Sequence, residues 1–231
     1  MKKTRELAHG ARPGPRSLVP GPRPLIIGHR GFAAKHPDNS LAGVSAALEI
    51  GADGVEIDVR PCADGVWVCH HNRTRGRRPI AEWPLAALER VGVPTLAAVT
   101  GAVPAHRWLF VEIKPLAAAT LDAHLADLVA LLGPRAGRTR VISSSLPVLG
   151  AIEVALPGVA LSWVFDELPA WLPNGPDLSP KHTLVETLLP FGRALHPWTV
   201  NSVRRMRQLA GLGVASLTTN RPDVAVGVVR G

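Results

Sequence analysis

Short apolar runs alternate with longer amphipathic stretches from Leu25 onward. The run LIIGH (25–29) is rich in branched residues, as strands are, whereas LAGVSAALEI has helical spacing and stops at Gly51. Strand–helix alternation favours a parallel α/β fold, and eight units favour a closed (β/α)8 TIM barrel over an open sheet. We predict parallel strands over 25–29, 54–59, 107–113, 139–143, 159–163, 177–179, 194–199 and 214–218, with helices including 41–50, 121–132, 146–156 and 182–189.

One further strand is predicted beside the second barrel strand. The dipeptide Asp64-Gly65 forms tight turns readily, and VWVCHH (66–71) follows it at once. Parallel neighbours need a crossover of a dozen or more residues, so the strand over 66–71 must return antiparallel. The sequence therefore predicts a hairpin attached to the barrel.

Polar and aromatic residues mark the carboxyl ends of several predicted strands. Barrel enzymes carry their chemistry at this end, and residues two apart on a strand share one face. We therefore expect one site to gather the following residues: His29, Arg30, Glu56, Asp58, His71, Glu112, Lys114 and Trp198.

These residue types suit phosphate chemistry with a metal. Three carboxylates fit a hard divalent cation such as Mg²⁺ or Ca²⁺ better than zinc. A histidine pair offers an acid and a base near neutral pH, and arginine with lysine suits a phosphate. Each residue alone has a plainer interpretation: Glu56 and Asp58 fit the solvent face of an amphipathic strand, and His29 fits a core histidine. Their joint placement at strand ends favours a site.

Composition narrows the class of protein. The 231 residues are 46% hydrophobic and 19% charged, and no stretch approaches the roughly 20 apolar residues of a membrane helix. No apolar run follows Lys2 and Lys3 as a signal peptide requires. Two cysteines, Cys62 and Cys69, exclude a disulfide framework and a four-cysteine zinc site. We expect a soluble, cytoplasmic protein.

The net charge of +8 lies mostly at the amino-terminal end, where residues 1–24 contribute +5. This segment is rich in proline and glycine, so we predict a flexible, solvated leader in front of a single barrel domain over 25–231. The alternative is an arm that makes weak contact with phosphate groups or a membrane surface. We expect no nucleic-acid partner, because the leader does not interleave aromatic residues with its basic ones.

Several motifs in fixed order resemble the glycerophosphodiester phosphodiesterase family. They span about residues 25–223 and are HRG (29–31), PDNSLAG (37–43), GADGVEIDVR (51–60), DGVWVCHH (64–71), VEIKP (111–115), ISSS (142–145), WTVN (198–201) and TTNRPD (218–223). The resemblance implies a (β/α)8 barrel with a hairpin after the second strand. It also implies hydrolysis of glycerophosphodiesters to glycerol 3-phosphate and an alcohol.

The resemblance also implies a role for each candidate residue. His29 and His71 correspond to the family's general acid and base, in an order that stays open. Glu56, Asp58 and Glu112 correspond to the ligands of one divalent cation, Mg²⁺ or Ca²⁺. The phosphate contacts correspond to Arg30 and Lys114, and the aromatic residue near the glycerol corresponds to Trp198.

Three departures from the family pattern leave the substrate open. Asp38 replaces a glutamate, and Asn72 replaces the aspartate that follows the second histidine. The inserted helical domain of many bacterial members is absent, because only residues 72–106, with four arginines between 73 and 78, join the hairpin to the next strand. Two alternatives remain: a lysophospholipase D-type enzyme acting on lipids, and a non-catalytic barrel that binds phosphorylated ligands. The preferred alcohol and the oligomeric state stay open.

Overall fold

A computed structural model describes residues 23–231, which contain ten strands, eight in the barrel sheet and two in a separate ribbon. Residues 1–22 of the predicted leader lie outside the described residues. The strands are β1 (Leu25–His29), β2 (Gly54–Pro61), β3 (Trp67–Cys69), β4 (Thr74–Arg75), β5 (Arg78–Pro79), β6 (Trp108–Ile113), β7 (Thr139–Ser143), β8 (Ala160–Phe165), β9 (Asp177–Pro180) and β10 (Ser216–Thr219). Seven of them form a parallel sheet in the order β10-β1-β2-β6-β7-β8-β9, and β3 pairs antiparallel with β2. The predicted TIM barrel and its hairpin are confirmed.

Helices follow most of the barrel strands. They are α1 (Leu41–Glu49), α2 (Leu85–Arg90), α3 (Leu96–Ala102), α4 (Ala118–Leu132), α5 (Leu146–Ala155), α6 (Val185–Leu188), α7 (Val203–Gly211) and α8 (Pro222–Arg230). Side-chain caps fix several starts: Ser40 accepts a hydrogen bond from the backbone of Gly43, and Ser145 from that of Val148. The helix predicted over 182–189 is α-helical only at Val185–Leu188, because 3-10 turns occupy His182–Leu184 before it and Leu189–Phe191 after it.

The eighth barrel position is not a regular strand, so the strand predicted over 194–199 is wrong. The segment 194–200 is here called the closing segment. It makes two isolated parallel bridges, one from Leu195 to Leu178 of β9 and one from Trp198 to Lys181, the residue after β9. Pro197 has no N–H to donate on the side of β10, so the ladder is interrupted there. The segment still closes the barrel, because Trp198 N donates to Pro180 O (3.2 Å) and Val200 N donates to Thr218 O (2.9 Å).

Residues 72–106 make a short connection without an inserted domain. It contains the two-stranded ribbon β4–β5 and the helices α2 and α3, of six and seven residues. In the described residues, no helix is both long and apolar enough to cross a membrane.

The interior of the barrel has an apolar layer next to a buried polar group. Ile27, Phe110, Ile142 and Val164 pack together on the axis, and Trp198 packs against them. This layer forms the floor on which the polar strand ends described below are placed.

The buried polar group surrounds His196, which is 3% exposed. Arg140 Nη1 donates to Asp177 Oδ2 (2.7 Å) and to Ser162 Oγ (3.1 Å). His196 lies with Nδ1 2.8 Å from Ser216 Oγ and Nε2 3.5 Å from Asp177 Oδ2. Because these contacts satisfy most of the polar atoms, the buried polar group around His196 is tolerated in the core.

We expect His196→Gln to make the protein less sensitive to mild acid. Burial lowers the pKa of His196. The hydrogen bond with Asp177 opposes this shift, and the positive charge of Arg140 lowers the pKa further. Below the unfolded value of about 6.5, the unfolded chain therefore takes up a proton that the folded protein does not, so stability falls with pH. We would measure the free energy of unfolding by urea denaturation between pH 7.5 and 5. Its slope against pH should be smaller in His196→Gln than in the unsubstituted protein, by up to about 1.4 kcal/mol per pH unit.

The exposed His106 provides a matched control. His106→Gln should keep the slope of the unsubstituted protein. An unchanged slope in His196→Gln would contradict the prediction, because it would mean that folded His196 takes up its proton as readily as the unfolded chain.

Candidate active site

The structure brings the predicted site residues together at the carboxyl ends of the strands. Seven of the eight line one pocket, and the eighth, Asp58, is buried and in contact with Lys114. The seven are His29, Arg30, Glu56, His71, Glu112, Lys114 and Trp198. Parallel strands β1, β2 and β6 are neighbours in the sheet, so their carboxyl ends necessarily meet there.

Three carboxylates form the acidic side of the pocket. Glu56, Asp58 and Glu112 each offer an oxygen, and these oxygens lie within 4.8 Å of one another. Glu56 Oε1 is buried and accepts no hydrogen bond within the described residues, while Oε2 accepts one from Arg30 N (3.0 Å). Burial, followed by the nearby charges of Asp58 and Glu112, raises the pKa of Glu56 well above its ordinary value. A buried carboxylate oxygen without a donor, beside two further carboxylates, is the donor set that a hard divalent cation prefers.

Asp58 is held in its ionised form by its neighbours. Lys114 Nζ lies 2.7 Å from Oδ1, Arg30 Nε lies 3.1 Å from Oδ2, and Asn39 Nδ2 donates to Oδ2 (3.0 Å). Burial opposes ionisation, but the charges of Lys114 and Arg30 lower the pKa of Asp58 below its ordinary value. Lys114 Nζ also lies 2.6 Å from Glu112 Oε1, so one ammonium group bridges two of the three carboxylates.

Two histidines, His29 and His71, line the pocket together with two of the three carboxylates. His29 Nδ1 lies 2.6 Å from Asn220 Oδ1, and His71 Nδ1 lies 2.9 Å from Asn72 Oδ1. Since an amide oxygen only accepts, Nδ1 of each ring is the donor in these two contacts. Burial, and after it the charge of Arg30, lowers the pKa of His29 to about 4.

A tight turn after β1 places Arg30. Its guanidinium lies between Asp38 (Nη1 to Oδ2, 2.6 Å) and Asp58. Arg30 and Gly31 have φ values of 51° and 81°, and a Cβ atom on Gly31 would lie 2.6 Å from the carbonyl carbon of Gly43. Position 31 therefore requires glycine, which explains the HRG sequence in physical terms.

Trp198 lies on the apolar floor of the pocket. Its indole Nε1 donates to Ser179 O (2.8 Å), and the ring packs with the interior layer that contains Phe110. Phe110, Ile142, Val164 and His196 complete the floor. The pocket thus joins a charged rim to a largely apolar base.

The sequence profile of the glycerophosphoryl diester phosphodiesterase family matches residues 29–129 and 156–224. The match takes in most of the chain and all eight candidate residues.

The chain belongs to the glycerophosphoryl diester phosphodiesterase family.

Members of the glycerophosphoryl diester phosphodiesterase family are hydrolases that act on glycerophosphodiesters. A Caldanaerobacter subterraneus glycerophosphodiester phosphodiesterase is 24% identical over 235 aligned positions, covering 87% of this chain and 96% of that protein. A Mycobacterium tuberculosis protein, named probable glycerophosphodiester phosphodiesterase 1, is 51% identical over 49 residues, which are 21% of this chain and 18% of that protein.

Solved structures named as members of this family share the fold. A glycerophosphodiester phosphodiesterase of Parabacteroides distasonis superimposes with a TM-score of 0.78 at 21% identity, covering 91% of this chain and 98% of that one. A phosphodiesterase of Oleispira antarctica, in complex with the product sn-glycerol-3-phosphate, has a TM-score of 0.78 at 20% identity, covering 90% and 98%. These likenesses confirm the barrel.

Two polar residues that contact side chains of the site were not predicted from the sequence. Asn39 precedes Ser40, the cap of α1, and both donates to and accepts from Asp58. Asn220 orients His29 across 191 positions of sequence. Asn39 lies in the motif PDNSLAG and Asn220 in the motif TTNRPD. The polar residues of family motifs that fall outside the strands were therefore the signal that could have identified both.

Proposed function

We propose that this protein hydrolyses glycerophosphodiesters to glycerol 3-phosphate and an alcohol, with one divalent cation, Mg²⁺ or Ca²⁺, at Glu56, Asp58 and Glu112. The observation that carries the proposal is the meeting of two buried carboxylates, a half-buried third one and two oriented histidines at one pocket. The structural relative solved with sn-glycerol-3-phosphate supports the proposed product. Residues 25–231 would form the catalytic domain, with the leader over 1–24 outside it.

The pocket's cations would bind and orient the phosphate. Arg30 offers a planar fork that matches two phosphate oxygens, and its ion pair with Asp38 keeps it in place. Lys114, which contacts the other oxygen of Asp58, would supply a second, point-like charge. When bound, the metal would neutralise negative charge on the phosphoryl oxygens as it accumulates. Trp198 would pack against the carbon chain of the glycerol.

The two histidines would move the protons. His29 is neutral at pH 7 because its pKa is about 4, so its Nε2 is suited to accept a proton from the nucleophile, either water or the substrate's own 2-hydroxyl. His71 would act in its doubly protonated form and give its Nε2 proton to the departing alcohol, and exchange with solvent would then restore both rings. Asn220 and Asn72 would orient the two rings through their Nδ1 atoms.

A location in the cytoplasm is part of the same proposal. Cys62 and Cys69 are both free thiols, which agrees with a reducing compartment. We propose no macromolecular partner beyond weak contact of the basic leader with a membrane surface.

The proposal is tested by the phosphomonoester released from a panel of substrates: glycerol 3-phosphate from each glycerophosphodiester, and lysophosphatidate from lysophosphatidylcholine. Glycerophosphoglycerol, glycerophosphoinositol, glycerophosphocholine and lysophosphatidylcholine would each be assayed with Mg²⁺, with Ca²⁺ and with EDTA. We expect metal-dependent turnover of at least one soluble glycerophosphodiester, abolished by EDTA. Turnover of the lysophospholipid alone would transfer the activity to the lysophospholipase D class, and no turnover at all would refute the proposal.

A further inference from the structure

A second cavity adjoins the candidate active site and shares Arg30 and His71 with it. This cavity, here called the ribbon groove, is also lined by Asp38, Arg75 and Val91. A phosphodiester carries one organic group on each side of its phosphorus. A phosphate beside Arg30 and His71, with its glycerol against Trp198, would therefore direct the alcohol into the ribbon groove.

The β4–β5 ribbon gives this groove an unbalanced positive charge. Arg75 and Arg78 are directly opposite each other in the ribbon, an arrangement of like charges that destabilises a strand pair. The Arg78 guanidinium is occupied, since it donates to Glu82 O and lies 5.3 Å from the ring centre of Trp83. The Arg75 side chain makes no ion pair or hydrogen bond within residues 23–231, so it is available to a ligand.

The groove lacks the features that bind a cationic alcohol. Asp38 is the one carboxylate among its described lining residues, and Arg30 already neutralises it at 2.6 Å. No phenylalanine, tyrosine or tryptophan is among those residues, whereas quaternary ammonium groups are recognised by aromatic cages. A choline group would meet Arg75 with no compensating contact.

We propose that the ribbon groove binds the alcohol half of the substrate and selects alcohols that carry an anionic group, such as a phosphate or carboxylate, over choline. This inference rests on the proposed function. Arg75 is the specificity-determining residue, and it acts by direct attraction of the extra negative charge. Because the groove is open to solvent, the preference weakens as salt screens the interaction.

A matched pair of substrates tests the selection. Glycerophosphoinositol 4-phosphate and glycerophosphoinositol differ by one phosphate on the alcohol, and glycerophosphocholine provides the cationic case. We expect kcat/KM to be higher for the phosphorylated substrate than for its parent by about fivefold to tenfold at low salt. Arg75→Gln should reduce this ratio to about twofold or less, and Arg75→Glu should invert it.

Arg77→Gln is the control, because Arg77 lies in the turn of the same ribbon and does not line the groove. It removes the same charge and should preserve the ratio. A ratio near one in the unsubstituted enzyme, or an equal fall in Arg77→Gln and Arg75→Gln, would overturn the inference and leave the proposed function intact.

A binding measurement separates the two proposals if no substrate turns over. Calorimetry with inositol 4-phosphate and with inositol needs no catalysis. Tighter binding of the phosphate, weakened by Arg75→Gln and kept in Arg77→Gln, would support the groove while the absent turnover refutes the proposed function. Equal binding of both compounds would overturn the groove.

Discussion

His71→Ala is expected to lower kcat for glycerophosphodiester hydrolysis by about 10²–10⁴-fold, with little change in stability. His71 lies on the rim, partly exposed, so its truncation leaves no buried cavity. Its carbonyl oxygen accepts from Arg60 Nε and Nη2 (both 3.2 Å), and these contacts do not need the ring and hold the backbone in place. The loss should therefore appear in kcat at saturating substrate, while the midpoint of thermal unfolding stays unchanged.

His106→Ala provides the matched comparison, since His106 is exposed and remote from the pocket. It should retain full turnover. Retained activity in His71→Ala would show that this histidine makes no proton transfer, and would leave His29 as the single titratable ring in the mechanism. Partial recovery of His71→Ala by added imidazole would support a role in proton transfer over a structural one.

Glu56→Gln is expected to abolish metal-dependent turnover while maintaining or raising stability without metal. In the metal-free pocket, burial and two neighbouring carboxylates raise the pKa of Glu56, so its charged form is costly there. A glutamine keeps the shape and still accepts the hydrogen bond from Arg30 N. The same substitution replaces Glu56 Oε1, which accepts no hydrogen bond within the described residues, by an amide nitrogen and so removes a candidate ligand of the cation.

Thermal unfolding with and without Mg²⁺ measures this effect independently of turnover. At a metal concentration of about 100 Kd, binding stabilises the folded protein by about 2.7 kcal/mol, or roughly 5–10 °C for a chain of this size. This rise should be absent in Glu56→Gln and preserved in Glu89→Gln, whose side chain is exposed on α2. An undiminished rise in Glu56→Gln would place the cation elsewhere.

The arrangement of the site was largely predictable because parallel strands impose simple geometry. Glu56 and Asp58 are two residues apart on β2, and β1 and β6 are its neighbours, so residues at their ends must converge. The alternation of side chains along each strand, with residues two apart on the same face, is thus enough to predict which face of the barrel carries each chemical group. The roles of these groups remain predictions until the substitutions above are measured.

The remaining features depend on contacts that no local pattern contains. The closing segment has the apolar residues of a strand. Its pairing, however, depends on Pro197 and on which backbone groups of β9 and β10 lie within hydrogen-bond distance on each side. Asparagine is a common residue at helix caps, but Asn39 has a φ of 61° and its side chain hydrogen-bonds to Asp58. Long-range partners of this kind become visible only once the chain is folded.

The pairing of His29 with Asn220 joins the first barrel strand to the residue directly after the last one. His29 therefore obtains its orienting partner only after the last barrel strand has been synthesised, whereas the partner of His71 is the next residue in the chain. Until then, an emerging chain that already contains all three carboxylates lacks the amide that orients His29.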